Sequence, residues 1–221
     1  MAGSFSKGET GSLGLSWVGT EGYLGLAYTR QQARYGLPGH QHGFEGCHAH
    51  GDHLHCGDHD GHDHEEAGSS SVPVVDLTSE RWDLRGEWRK PVAGIAAVRL
   101  RGGWTRYQHD EIEDGAVSTA FRNRGHDLRL EMEHEPIAGW RGTLGVQTLN
   151  RRFSATGEEA YVQPTNTQRE SLYLLEEYRW QDWSLQGALR HDRQRIDAEQ
   201  TDVQRKHSAT SFSLGTVWKF S

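Results

Sequence analysis

Residues 40–66 read HQHGFEGCHAHGDHLHCGDHDGHDHEE. This stretch holds nine of the chain's 14 histidines, seven carboxylates, both cysteines and no Lys or Arg. Neutral imidazole suits zinc, copper and nickel, and neighbouring carboxylates add charge and outer acceptors. The candidate ligands are His40, His42, His48, His50, His53, His55, His59, His62 and His64, with Asp52, Asp58, Asp60 and Asp63. Four histidine pairs recur at i, i+2, beginning at His40, His48, His53 and His62. In an extended segment that spacing puts both imidazoles on one side; in a flexible loop it raises local ligand density. Zinc takes about four N, O or S ligands. The tract offers several times that number, which implies multiple weak, exchanging sites. The bland alternative is a solvated low-complexity loop with incidental metal affinity.

Cys47 and Cys56 lie nine positions apart. They fit either zinc thiolates or a disulfide. An oxidising compartment and a short enclosed loop favour the disulfide. Bridging would gather His48, His50, His53 and His55 in one small hoop and lower the entropy cost of their convergence on a metal.

The elements that must carry this tract are legible in the rest of the chain. The 221 residues carry a formal net charge of -7. The tract has seven acids and no bases, so it accounts for the whole excess, and the remainder is balanced at 24 acids and 24 bases. A nucleic-acid partner, which calls for a basic stripe, is excluded. Hydrophobic content is only 34%, yet the chain has eight Trp, seven Tyr and six Phe. Scarce but large apolar residues suit elements that hide one side only. There is no apolar run of the roughly 18 to 20 residues that a spanning helix needs. The opening MAGSFSKGETGS lacks the apolar core of a signal peptide, so an exported form is expected to be a mature piece or a fragment.

The dominant signal outside the tract has period two. Leu13, Leu15 and Trp17 alternate with small residues; Trp82, Leu84 and Trp88 alternate with Arg81, Asp83, Arg85, Glu87 and Arg89. Leu128, Leu130 and Met132 stand against Arg129, Glu131 and Glu133, and Phe212, Leu214 and Trp218 against Ser211, Ser213 and Gly215. Such alternation marks strands with one apolar and one polar face. It predicts about nine strands, over 11–19, 22–34, 77–90, 94–109, 117–135, 139–154, 168–181, 183–198 and 207–220. Many exceed ten residues, the length that crosses a bilayer when tilted about 45°. Short connections at Thr20-Glu21, 91–93, 136–139 and Gln181-Asp182 alternate with longer ones at 35–76, 110–116, 155–167 and 199–206. Short turns at one end and long loops at the other are the pattern of an outer-membrane barrel. Aromatics near strand ends, such as Tyr23, Trp88, Trp104, Trp140, Trp180, Trp183 and Trp218, fit interfacial girdles. The fold class expected is all-β: an antiparallel transmembrane β-barrel segment. A soluble sandwich is the competing architecture. Because an odd strand count leaves an unpaired edge that lipid does not tolerate, the segment should belong to a larger barrel.

The residues YGLPGHQHGFEGCHAH (35–50) resemble the third-loop region of the zinc-uptake TonB-dependent outer-membrane receptors. GSLGLSWVGTEGYLGLAYT (11–29), VDLTSERWDLRGEWRKPVAGIAAVRL (75–100), TRYQHDEIEDGAV (105–117) and HEPIAGWRGTLGVQ (134–147) are similar to that family too, in the same order. The resemblance implies a barrel of 22 strands in the bacterial outer membrane, filled by a plug domain. It also implies energising by the TonB–ExbB–ExbD complex in the complete protein. On it, residues 1–221 are an early-to-middle section of the barrel, 35–76 is a His/Asp-rich extracellular loop, and the plug is absent. The same resemblance places His109 and Glu111 at the barrel-wall contribution to a deeper metal site, whose other ligands come from the plug and later strands. The expected partners are outer-membrane lipid and a divalent metal ion, with zinc as the transported ion and no organic cofactor.

No Gly-rich phosphate loop, HExxH or GxSxG motif is present, so the expectation is a receptor fragment for capture and import, not an enzyme. The rival readings are a soluble periplasmic or surface metal-buffering β-protein, and a receptor of the same architecture for haem, copper or nickel.

Overall fold

A computed structural model describes residues 4–37, 72–157, 160, 162–199 and 203–220, together with the backbone of 47–50 and 53–56. Nine long strands form one antiparallel sheet. They are β1 (Ser6–Gly19), β2 (Gly22–Gly36), β5 (Val74–Arg89), β6 (Ile95–Glu113), β7 (Ala116–His134), β8 (Trp140–Gly157), β9 (Thr165–Trp180), β10 (Trp183–Ala198) and β11 (Val203–Trp218). Each pairs with its sequence neighbour except where β2 joins β5. The interval between those two contains a separate two-stranded hairpin, β3 (Cys47–His50) with β4 (His53–Cys56). The whole is an up-and-down sheet, with no helix among the described residues.

Register aligns the apolar residues into continuous rows. Leu15 faces Leu26, Leu26 faces Leu84, and Trp82 faces Trp104. Leu100 faces Leu130, Leu130 faces Val146, and Val146 faces Leu172. The period-two alternation therefore builds one greasy face across the sheet and one charged face behind it. Nothing covers the greasy face among the described residues: Leu15 is 81% exposed and Phe212 84%. Among the described residues the buried hydrophobic side chains are Val75, Ala97 and Ala155. A sandwich would press the Leu/Trp face against a second sheet, so that architecture is ruled out for these strands. A face this large with no protein partner needs lipid.

The turns at one end are tight. Ile137 and Trp140 exchange backbone hydrogen bonds of 2.9 and 3.0 Å around Ala138-Gly139. Both central residues there have positive φ, 50° and 87°, which is the backbone of a type I′ hairpin turn. At the opposite end the strands run further than their alternation predicts. β6 and β7 meet at Asp114-Gly115 with φ of 50° and 80°, so the loop expected over 110–116 is corrected to a two-residue turn. The Asp-Gly pair accepts positive φ at both positions, and above the greasy band neither strand face needs to be apolar. The interval 35–76 is likewise not free of secondary structure, since it holds β3 and β4.

Edge strands β1 and β11 each have one hydrogen-bonded neighbour. Accordingly β11 is exposed at every position.

Candidate metal-capture site

The hairpin brings the tract's central residues into register. Cys47 is opposite Cys56, His48 opposite His55, Ala49 opposite Leu54, and His50 opposite His53. Residues directly opposite, and residues two apart on one strand, belong to the same face of an antiparallel ribbon. His48, His50, His53 and His55 therefore occupy the four positions of one face, and Cys47 and Cys56 a cross-strand pair on the other. Cross-strand partners have Cα atoms about 4.5 to 5.5 Å apart, inside the range of about 4.4 to 6.8 Å that a disulfide spans. His40, His42, His59, His62, His64, Asp52, Asp58, Asp60 and Asp63 lie outside the described residues.

His109 and Glu111 lie on the polar face of β6, beyond Trp104. The greasy face of that strand runs from Val98 to Trp104 and then gives way to Arg106 and Gln108, so this part of β6 stands above the lipid band. The His109 Nε2 is 3.8 Å from Glu111 Oε1. Its ring stacks on Phe121 at 4.3 Å between centroids and meets Tyr107 edge-on at 5.5 Å. Burial, reinforced by Arg122 and opposed by Asp110, holds this imidazole below its ordinary pKa, which favours the neutral form that a metal ligand requires. Its Nδ1 is buried with no hydrogen-bond partner. Asp110, between them in sequence, is on the other face and accepts a 2.6 Å bond from Arg122 Nη1. His109 and Glu111 thus converge as a pair. Among the described residues no group of three or more His, Cys, Asp or Glu side chains is placed to hold a metal.

The polar face carries charge networks that sequence alone does not resolve. Glu133, only 6% exposed, is clamped between Arg99 and Arg141, with Arg99 Nη2 at 2.7 Å; Arg99 also donates to Glu87 at 2.9 Å. The Tyr173 hydroxyl accepts from Arg129 at 2.6 Å and donates to Glu131 at 2.9 Å. Its ring lies beneath the guanidinium groups of Arg129 and Arg190. The space for that ring comes from Gly145, where a Cβ would sit 2.3 Å from the Tyr173 hydroxyl oxygen. The alternating acids and bases of each strand announce a wet charged surface, but which acid meets which base depends on cross-strand register. Such a face suits a hydrated lumen and is unsuited to lipid.

Residues 14–221 match the family described as TonB dependent receptor-like, beta-barrel. Solved structures share the fold. One is the FrpB iron transporter from Neisseria meningitidis (F5-1 variant), with a TM-score of 0.68 and 12% identity, covering 97% of this chain and 35% of that one. The copper transporter OprC also gives 0.68, at 11% identity, covering 99% and 35%. BauA, the ferric preacinetobactin receptor from Acinetobacter baumannii, gives 0.65 at 11% identity, covering 98% and 38%. The chain spans about a third of the length of these structures.

Proposed function

Since this chain belongs to the TonB-dependent receptor β-barrel family, whose members reside in the bacterial outer membrane, we propose that it is the metal-capturing wall section of a receptor that imports zinc or a similar divalent ion. The family is one of receptors and transporters, not enzymes. The observation that supports a divalent-metal cargo is the hairpin register, which gathers four histidine positions on one face. Neutral imidazole suits zinc, as it does copper and nickel. The surrounding histidines and aspartates hold ions loosely and raise their concentration over the barrel mouth. His109 and Glu111, lower down and on the polar face, supply part of a second station on the inward path.

In this reading no bond in a substrate is made or broken. Capture is passive; inward passage belongs to the complete protein, with a plug and with energy delivered through TonB and its inner-membrane complex. Further strands pair with the open edges of β1 and β11, because unpaired backbone groups in hydrocarbon cost several kcal/mol each.

Calorimetry tests the assignment. With all nine tract histidines replaced by Asn, zinc binding by the chain in detergent is expected to be lost almost entirely; unchanged stoichiometry would refute it. Copper is expected to bind the tract more tightly than zinc whatever the physiological cargo, following the Irving–Williams order. The cargo is therefore decided by uptake of labelled metal through the complete receptor.

A further inference from the structure

The greasy face ends, toward the long-loop side, in an aromatic row: Tyr28, Trp82 and Trp104 stand side by side, followed by His126. One step beyond, on the same face, register aligns Arg30, Glu80, Arg106, Arg124 and Arg152 on β2, β5, β6, β7 and β8. Arg106 is directly opposite Arg124, and Arg124 directly opposite Arg152. Like charges facing each other across a strand pair are destabilising. None of the ion pairs among the described residues involves these three side chains, and all three are exposed. On the polar face Arg99, Arg129, Arg141 and Arg190 meet carboxylates, while Arg85 and Arg101, directly opposite each other, form no ion pair among the described residues. Three exposed arginines in succession, in no ion pair and at the border of the lipid-facing band, point to an external anion.

Its position says which anion. The row borders the lipid-facing band, where Arg106 and Arg124 with Trp82, Trp104, His126 and the single carboxylate Glu80 line a shallow concavity of about 370 Å³. Neighbouring strands are about 4.8 Å apart, so three successive arginines span about 10 Å. Guanidinium forks match phosphate oxygens bidentately. A ligand with phosphates at the height of the row and acyl chains against Trp104, Leu100 and Leu130 satisfies both halves of the surface. We propose that Arg106, Arg124 and Arg152 bind the phosphates of outer-leaflet glycolipid. This inference rests on placement in the outer membrane and is independent of the metal cargo.

The test uses the full chain folded in neutral detergent and titrated with diphosphoryl lipid A, followed by native mass spectrometry. Replacing Arg106, Arg124 and Arg152 together by Gln is expected to weaken binding at least tenfold. The same variant is expected to unfold at a higher denaturant concentration without lipid, because the mutual repulsion is gone. Arg85→Gln with Arg101→Gln, an equal type of charge loss on the polar face, is expected to leave binding unchanged. Equal loss in both variants, or unchanged binding in the triple variant, would overturn the proposal. So would displacement of the lipid by millimolar inorganic phosphate, which would mark a free-anion site. Should the triple variant fail to fold, the unaltered chain decides: dephosphorylated lipid A binding as tightly as the diphosphoryl form sinks the proposal.

Discussion

His48 stands directly opposite His55 in the β3–β4 hairpin, and His50 directly opposite His53. Four histidine positions on one ribbon face are the reason to propose that the hairpin holds metal more tightly than the rest of the tract. His48→Asn, His50→Asn, His53→Asn and His55→Asn together should remove the highest-affinity zinc event in a calorimetric titration. Replacing His40, His42, His59, His62 and His64 instead should spare that event and remove weaker ones. The reverse pattern would detach affinity from the hairpin.

Metal should leave on acidification. An imidazole must be neutral to ligate, and its ordinary pKa is about 6.5. Zinc bound at pH 7.5 is therefore expected to be released by pH 5. Retention over that interval would assign the ion to carboxylates. His109 should behave differently from the tract, because its pKa is lowered by burial. Its ring is expected to take up a proton at lower pH than the tract histidines, which imidazole NMR titration can read.

The pairing of Cys47 with Cys56 allows a bridge at the open end of the hairpin. Thiol titration of the chain from an oxidising preparation should find no free thiol. Cys47→Ser with Cys56→Ser should keep the zinc stoichiometry but weaken the tightest event by about an order of magnitude, since the hairpin is then less preorganised. Unaltered affinity would show that the bridge does not shape the site.

Glu133 is the buried acid among the described residues, with Arg99 and Arg141 on either side. Glu133→Gln keeps its shape but leaves two guanidinium groups facing a neutral amide. A loss of about 2 kcal/mol, the scale of a hydrogen bond to a charged group, is expected in urea unfolding from vesicles. Gly145→Val should also destabilise, by displacing Tyr173 from between Arg129 and Glu131. Wild-type unfolding midpoints for both would mean that these networks are solvated and idle.

The lipid-facing half of the fold was readable because Leu, Trp and Val recur with period two from Leu13 to Trp218. The strand extensions were not. At Arg106, Gln108 and Asp110 both faces are polar, so alternation of hydrophobicity vanishes although the ladder continues to Glu113. The Asp114-Gly115 turn carried its signal in two residues that an acidic neighbourhood disguised as loop. The hairpin within the tract was missed for a related reason: His, Gly and Asp carry little strand propensity, and the register that aligns them is a property of pairing. His109 and Glu111 were picked out by resemblance; only the structure shows that Asp110 between them turns to the other face and Arg122.

The most direct test is a nitroxide scan of β7 in lipid vesicles, one label at a time from residue 128 to 133, with Cys47 and Cys56 replaced by Ser. Labels at Leu128, Leu130 and Met132 should collide with oxygen dissolved in the bilayer. Labels at Arg129, Glu131 and Glu133 should collide with a water-soluble nickel chelate. Alternation of the two signals in opposite phase is the outcome of a barrel wall between lipid and water. Labels at the Leu and Met positions that are reached by nickel, or shielded from both probes, would contradict it.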